Sequence, residues 1–388
     1  MAAIACLLTG RERAAIATIV LDGPSALEII AENFTTSSRR MIVPGDIRYG
    51  IWHGNRTVSS DAVGESVVVV SEKSKTGEQI RWEVHCHGGE IAANLILDDL
   101  SRSGAKVVDQ ASWLSMTVPD ICEREAIEVL SQTSTMRTAA IALGQLRGTI
   151  KRFVEASLAD LETGGHDSIC RTHDRVKAIL SFSEFGRHLI QPWSVVLAGL
   201  PNVGKSSLIN SLVGFRRSIT MDEPGTTRDV LHADAVINGW PILLSDTAGI
   251  RQDPNGDIER QGIERAATMM KEADLVVWVI DALGPVSINA LMPVDPSVRS
   301  ILVLNKMDLF QGSLDSMGSD VIPVSATKSI GIDELRASIA NALIPIVPDP
   351  ETPVPLTQRQ IESFELIVSI PDKATIRREL ERLVGKHG

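Results

Sequence analysis

The chain holds 388 residues, more than one hydrophobic core usually serves, so two or three domains are expected. Hydrophobic residues make up 44% and charged residues 22% of it, a globular composition that excludes a disordered tail. A formal charge of −11 and only 4% aromatics argue against a DNA-coating protein, which needs a basic surface and stacking platforms.

Cys6, Cys86, Cys122 and Cys170 are widely spaced with no CxxC pair, so neither a disulfide framework nor a four-thiolate zinc site is indicated and a reducing cytoplasm is expected. The apolar runs, 242–244 and 301–304 among them, fall far short of the ~20 residues that span a bilayer. No membrane partner is expected. Residues 1–8 lack a leading basic region, and Arg11, Glu12 and Arg13 break any signal-peptide pattern.

Up to about residue 109 the pattern predicts short strands at 15–21, 66–70, 80–86 and 105–108 and helices at 25–32 and 91–103, a mixed α+β domain. From 120 to 162 apolar residues recur at three and four with little Gly or Pro, predicting one long helix or two end to end. Gly164 and Gly165 stop it, and a further helix is predicted over 171–189. From 194 buried strands (194–198, 242–245, 275–280, 300–304, 321–324) alternate with helices, the pattern of a parallel sheet with crossovers. Five prolines between 345 and 355 predict a stiff extended linker, followed by short closing helices at 357–369 and 373–383.

GLPNVGKS over 199–206 fits GxxxxGK[ST], follows a predicted strand and opens a predicted helix, which is the context a phosphate loop needs. Its backbone N–H groups would cradle phosphates, Lys205 would neutralise charge and Ser206 would hold Mg²⁺. DTAG at 246–249 follows the next strand: Asp246 can hold Mg²⁺ through water, and the Gly249 N–H can reach a γ-phosphate. NKMD at 305–308 ends another strand, and Asp308 can accept both N1–H and the exocyclic amine of guanine, which adenine cannot offer. In Ser325-Ala326-Thr327 the Ala326 N–H is placed to donate to guanine O6. PGTTRD at 224–229 supplies hydroxyls for a second Mg²⁺ ligand, with Thr227 chosen. The motif positions of the GTP set are Asn202, Val203, Gly204, Lys205, Ser206 and Ser207; Thr226 and Thr227; Asp246, Thr247, Ala248 and Gly249; Asn305, Lys306 and Asp308; and Ser325, Ala326 and Thr327.

Ile250 stands where a water-orienting Gln follows the DTAG-type turn in Ras-like enzymes, so a nearby carboxylate has to take that role. Glu259 is the candidate; on its residues alone the position reads equally as a helix-start Glu favoured by the dipole. His85 and His87 share one face of a strand. Two imidazoles without a second ligand cluster read as packing of the HGG turn rather than a zinc centre. The basic residues of 373–386 are interleaved with Glu379 and Glu381, a solvated amphipathic helix before a tRNA contact.

The run GLPNVGKSSLIN, PGTTRDVL, DTAGIR, IERQGIERA, NKMD and VSAT resembles the G domain of the tRNA-modification GTPase family MnmE, also called TrmE. TGE at 76–78 and EVHCHGG at 83–89 resemble that family's N-terminal segment. The resemblance implies an α/β P-loop GTPase, a Ras-like G domain inserted in a helical domain, preceded by an α+β N-terminal domain of folate-binding type. The expected division is 1–113 N-terminal, 114–192 helical, 193–345 G domain, and 346–388 Pro-rich linker with closing helices. It implies GTP hydrolysis with Mg²⁺ and K⁺, the K⁺ held by Asn202 with Met221, Glu223 and Thr226. Glu259 then matches the water-activating Glu and acts with Lys205. It further implies a homodimer formed through the N-terminal domain, a flavoprotein partner (MnmG), and the wobble uridine of tRNA as target. A folate such as 5-formyl-tetrahydrofolate would supply the one-carbon unit, with Glu78 and Lys386 at its site.

The departures fall in the folate chemistry: Val20 stands where the family has Arg, 114–122 lacks the family's Lys, and LVGK at 383–386 lacks the Cys before Gly-Lys. Two alternatives follow: a diverged paralogue acting as a GTP-dependent regulatory or assembly protein without one-carbon chemistry, or a ribosome-assembly GTPase.

Overall fold

The computed structural model describes every residue except 1–2, 10–13, 39, 55–63, 74–79, 166, 215–231, 248–264, 285–297, 313–320 and 386–388. It divides into two compact units, Met1–Arg124 and Glu125–Gly388.

The first unit is built on a seven-stranded sheet: β1 (Ile4–Leu7), β2 (Ile16–Asp22), β3 (Phe34–Thr36), β4 (Ile47–Trp52), β5 (Glu65–Lys73), β6 (Ile80–His87) and β7 (Lys106–Val107), in the order β3-β4-β5-β6-β2-β1-β7. All pairings are antiparallel except β1 with β7. Alternation puts Ile19, Leu21, Val67, Val69, Trp82 and Val84 on one face, where they bury a core with Ile96 and Leu100 of α2 (Glu90–Arg102) and Ile29 and Ile30 of α1 (Ala26–Asn33). Strands β1, β3 and β4 were absent from the sequence reading; β1 and β3 are three to four residues long, too short to show alternation. The HGG turn is tight because a Cβ on Gly88 would collide with the Ala14 carbonyl, while Ala14 N–H donates to the Gly88 carbonyl at 3.1 Å. His85 and His87 do share the outward face of β6. His85 Nδ1 pairs with Thr18 Oγ1 at 2.9 Å and His87 Nδ1 with Glu65 Oε1 at 2.5 Å, so each has its own partner. Helix α3 (Gln110–Thr117), capped by Asp109, packs on β1.

The predicted helix over 120–162 is three helices: α4 (Ile121–Gln132), which crosses from one unit to the next, α5 (Met136–Leu146) and α6 (Thr149–Thr163). The first break comes where Thr135 caps α5 through the Thr138 N–H, and the second where Gly148 adopts φ +85°. The predicted helix over 171–189 is likewise two, α7 (Ser168–Leu180) and α8 (Ser183–Arg187).

A six-stranded sheet then follows: β8 (Trp193–Ala198), β9 (His232–Ile237), β10 (Trp240–Asp246), β11 (Leu275–Asp281), β12 (Ser300–Asn305) and β13 (Val321–Pro323), ordered β13-β12-β11-β8-β10-β9 and parallel except for β9. Helices α9 (Lys205–Val213), α10 (its described part 265–272) and α11 (Ile332–Leu343) accompany it. The closing helices α12 (Gln358–Ser369) and α13 (Lys373–Leu383) return to α7 and α6. Arg359 Nε and Nη2 reach the Glu125 carboxylate at 2.6 and 2.7 Å, and Phe364 meets Phe153 edge-on. The sheet is thus inserted in a helical bundle closed by residues on both sides of it.

The Pro-rich stretch is packed rather than a free spacer. Gln145 Nε2 donates to the Thr352 carbonyl at 2.9 Å and its Oε1 accepts the Val354 N–H at 3.0 Å, with Val354 fully buried. Gly144 and Gly186 give it room, since a Cβ on either would strike the carbonyl of Pro350 or Pro355. Among the described residues no helix is long and apolar enough to cross a membrane.

Candidate functional site

The parallel strands β8, β11 and β12 end on one edge, where loops converge. β8 lies between β10 and β11, and Val195, Val196, Leu197 and Ala198 are all buried, so its end is a fixed base for the loop that follows. That loop turns through Gly199 (φ +145°), Asn202 (φ +63°) and Gly204 (φ +95°). Glycine is required at two of these. A Cβ on Gly199 would strike the Val279 carbonyl of β11, and one on Gly204 the Asn305 Nδ2. Lys205 opens α9, is 4% exposed, and donates from Nζ to the carbonyls of Gly199 and Leu200 at 3.1 and 3.0 Å. A buried ammonium is thereby held across the loop mouth at a helix N-terminus, where an anion is favoured twice over.

Ser206 Oγ donates to Asp246 Oδ2 at 2.8 Å, joining the first turn of α9 to the last residue of β10. Asp246 is 1% exposed, and Thr247 Oγ1 donates to the Leu197 carbonyl at 3.2 Å, which fixes the end of β10 on β8. One hydroxyl and one carboxylate are hard oxygen donors, the chemistry Mg²⁺ takes. Val203 is buried and Ser207 exposed in the same segment.

On the other side of the edge Asn305, the last residue of β12, is 2% exposed and ties two loops together. Its Nδ2 donates to the Val203 carbonyl at 2.9 Å and its Oδ1 accepts the Ala326 N–H at 3.2 Å. Lys306 takes φ +68° and reaches Asp281 at 2.6 Å. Burial raises the Asp281 carboxyl, but the Lys306 ammonium and the Leu283 N–H together outweigh it and hold it below the usual carboxylate range. Asp308, in the short turn Met307–Leu309, accepts from Ser325 Oγ at 2.6 Å, and Ser325 also sits 3.2 Å from Thr327 Oγ1. Ser211 of α9 donates to the Ala326 carbonyl at 2.7 Å. The described members of the expected set, from Asn202 to Ser207 with Asp246, Thr247, Asn305, Lys306, Asp308 and Ser325 to Thr327, therefore gather on one sheet edge.

Glu78, Met221, Glu223, Thr226, Thr227, Ala248, Gly249, Glu259 and Lys386 lie outside the described residues. Asp281 and Ser211 were missed. Asp281 had a signal: it ends an apolar strand as Asp246 and Asn305 end theirs, and its register partner is Asn305.

Residues 194–308 match the family described as 50S ribosome-binding GTPase, and residues 3–111 match that described as GTP-binding protein TrmE N-terminus. The tRNA modification GTPase MnmE of Thermotoga petrophila is 30% identical over 374 residues, covering 87% of this chain and 82% of the relative. The chain belongs to the MnmE family. MnmE of Bacillus licheniformis and of Bacillus pumilus are 31% and 32% identical, each alignment covering 88% of this chain and 82% of the relative. As an MnmE-family protein with a P-loop G domain, the chain is a GTPase.

Proposed function

We propose that this protein couples GTP hydrolysis, with Mg²⁺ and K⁺, to modification of the wobble uridine of tRNA. The observation that carries the reading is one chain in which a guanine-type loop set on one sheet edge follows a TrmE-type N-terminal segment, in a sequence that spans most of its MnmE relatives.

Ser206 and Asp246, with Thr227, would hold Mg²⁺, which when bound neutralises charge on the β- and γ-phosphates. Lys205 gives up its two loop carbonyls for phosphate oxygens, a stronger charge-assisted exchange. Asn202, Met221, Glu223 and Thr226 are assigned to K⁺; Val203, Gly204, Ser207, Thr247, Ala248 and Gly249 to the phosphates; and Asn305, Lys306, Asp308, Ser325, Ala326 and Thr327 to the base side. Glu259 orients the attacking water. Residues 1–113, 114–192, 193–345 and 346–388 serve as N-terminal, helical, G and closing segments of a cytoplasmic homodimer working with an MnmG-like flavoprotein on tRNA. The test is nucleoside mass spectrometry of tRNA from cells with and without the gene, beside GTP turnover of the full chain in K⁺ and in Na⁺. An unchanged wobble nucleoside would sink the tRNA reading, and equal turnover in both salts the K⁺ assignment. Glu259→Gln is expected to keep GTP affinity and lose turnover.

A second reading, a GTP-dependent regulatory protein without one-carbon chemistry, is favoured by Val20, an aliphatic side chain fully buried where the family carries Arg. Calorimetric titration with 5-formyl-tetrahydrofolate separates the two. Saturable micromolar heat supports a folate site that includes Glu78 and Lys386; no heat under conditions where GTP analogues bind supports the second reading.

A further inference from the structure

At the opposite end of β8 from the phosphate loop, three side chains that play no part in nucleotide binding converge. Glu184 of α8, His188 at that helix's C-cap and Asp274 just before β11 each turn one donor atom inward, all three within 4.8 Å of one another. We propose that Glu184, His188 and Asp274 form a binding site for one divalent transition-metal ion of the zinc type, seated where the helical bundle passes into the sheet.

Two observations carry this beyond proximity. The first is that the side of His188 and Asp274 facing away from the cluster is already fixed by backbone. His188 Nδ1 lies 3.0 Å from the Gln191 carbonyl, which only accepts, so Nδ1 carries the proton and Nε2 points into the cluster. Asp274 Oδ2 accepts the Ser194 N–H at 2.7 Å, leaving Oδ1 facing His188. Backbone hydrogen bonds that set a ligand's tautomer and orientation are the usual outer shell of a metal site. His188 is further held by stacking on Trp193 at 3.7 Å and is 5% exposed.

The second is the spacing. His188 Nε2 and Asp274 Oδ1 are 3.5 Å apart. That is long for an imidazolium–carboxylate hydrogen bond, which runs about 2.7–2.9 Å. Two ligands about 2.1 Å from a tetrahedral Zn²⁺ are separated by about 3.4 Å. Glu184 precedes His188 by four residues and so lies on the same side of the helix. One imidazole nitrogen with two carboxylate oxygens suits zinc and its first-row neighbours better than Mg²⁺ or Ca²⁺. Two arginines compete for the cluster: Arg299 Nη2 is 3.1 Å from Glu184, and Arg187 Nη2 is 3.4 Å from His188 Nε2. Arg187 is exposed and Arg299 is 44% exposed, so both can turn to solvent as the ion enters.

The test is calorimetric titration of the chelator-stripped full chain with Zn²⁺ in the presence of saturating Mg²⁺–GDP, with thermal unfolding followed in parallel. One equivalent is expected to bind and to raise the unfolding temperature. Glu184→Gln, at an exposed position, and Asp274→Asn, which keeps an acceptor for the Ser194 N–H, should each weaken binding about tenfold or more. Absence of saturable uptake by the folded parent, or uptake by either folded variant that equals the parent's, overturns the proposal.

Discussion

Removing the Asn305 carboxamide is the sharpest test of how the site is held together. Asn305→Ala leaves the Val203 carbonyl and the Ala326 N–H without the partners they have at 2.9 and 3.2 Å, at a position 2% exposed. An unmet buried polar group costs about 1–3 kcal/mol. The vacated space is polar and can admit a water, so the low end of the summed range applies, about 2–3 kcal/mol. Asn305 links the phosphate loop to the Ser-Ala-Thr loop, so nucleotide binding to the variant has to order two loops the parent holds already. The deficit therefore falls on affinity. At 1.4 kcal/mol per decade, GDP should bind roughly 30- to 150-fold more weakly by calorimetry. Asn305→Asp should be at least as poor, because it keeps an acceptor for Ala326 but turns a carboxylate oxygen toward the Val203 carbonyl. A folded Asn305→Ala protein that binds GDP within about threefold of the parent, or an Asp variant clearly milder than Ala, would refute the reasoning.

Gln145→Leu, which strips the part-buried Thr352 carbonyl and the buried Val354 N–H of their partners, should lower unfolding stability by about 2–4 kcal/mol in urea titrations; a loss below about 0.5 kcal/mol would show the Pro-rich stretch is held by something else. Gly186→Ala should cost about 1–3 kcal/mol, since its Cβ would drive against the Pro355 carbonyl; an unmoved unfolding temperature would contradict that contact. Asp281 has its carboxyl held down in the folded state, so its stabilising share is present above the unfolded carboxylate value of about 3.9 and is lost as pH falls through the lower folded value. The stability gap between the parent and Asp281→Asn should accordingly shrink as pH drops from 7 to below about 4, and a gap independent of pH would dissociate Asp281 from Lys306.

The nucleotide edge was legible because each of its loops follows a run of buried β-branched and aliphatic residues, so motif and strand end fix one another. The Gly at 199 and 204, Lys205 and Asp246 are read directly from spacing. Asn305 is different: its type marks a motif, but that it bridges Val203 and Ala326 depends on loops 102 and 21 residues away, which no local pattern contains. The β9–β10 hairpin was a missed local signal. Asn238-Gly239, at φ +50° and +83°, is the dipeptide that type I′ turns favour, yet β9 carries only two buried residues and so shows no apolar run. The helix breaks at Thr133–Ser134 and at Ser181–Phe182 were hidden because apolar periodicity continues across them; a cap interrupts the backbone without interrupting the buried face. The packing of the Pro-rich stretch was hidden for the opposite reason. Proline predicts stiffness, and only the tertiary contacts of Gly144, Gln145 and Gly186 show that the stiff segment is clasped.

Those clasps bear on how the GTPase works as a whole. One continuous core runs from Ala126 and Val129 of α4, through Ile141 and Ala142 of α5 and Phe185 and Leu189 around α8, to Trp193 and Val195 of β8 and Leu208 and Leu212 of α9, and it takes in Val354 and Leu356 of the Pro-rich stretch. The helix that carries Lys205 and Ser206 therefore rests on the same packed atoms as the bundle. β10 makes a second link: Asp246 ends it at the nucleotide edge, while at its start Trp240 lies under the Arg137 guanidinium of α5 at 4.6 Å, and Arg137 donates to the Asn238 carbonyl at 2.8 Å. A close-packed interior does not absorb displacement locally, because any shift opens voids or creates overlap. Any displacement of α9 or β10 at the nucleotide edge would thus have to be accommodated at α5 and at the Pro-rich stretch as well, because these elements share one packed core.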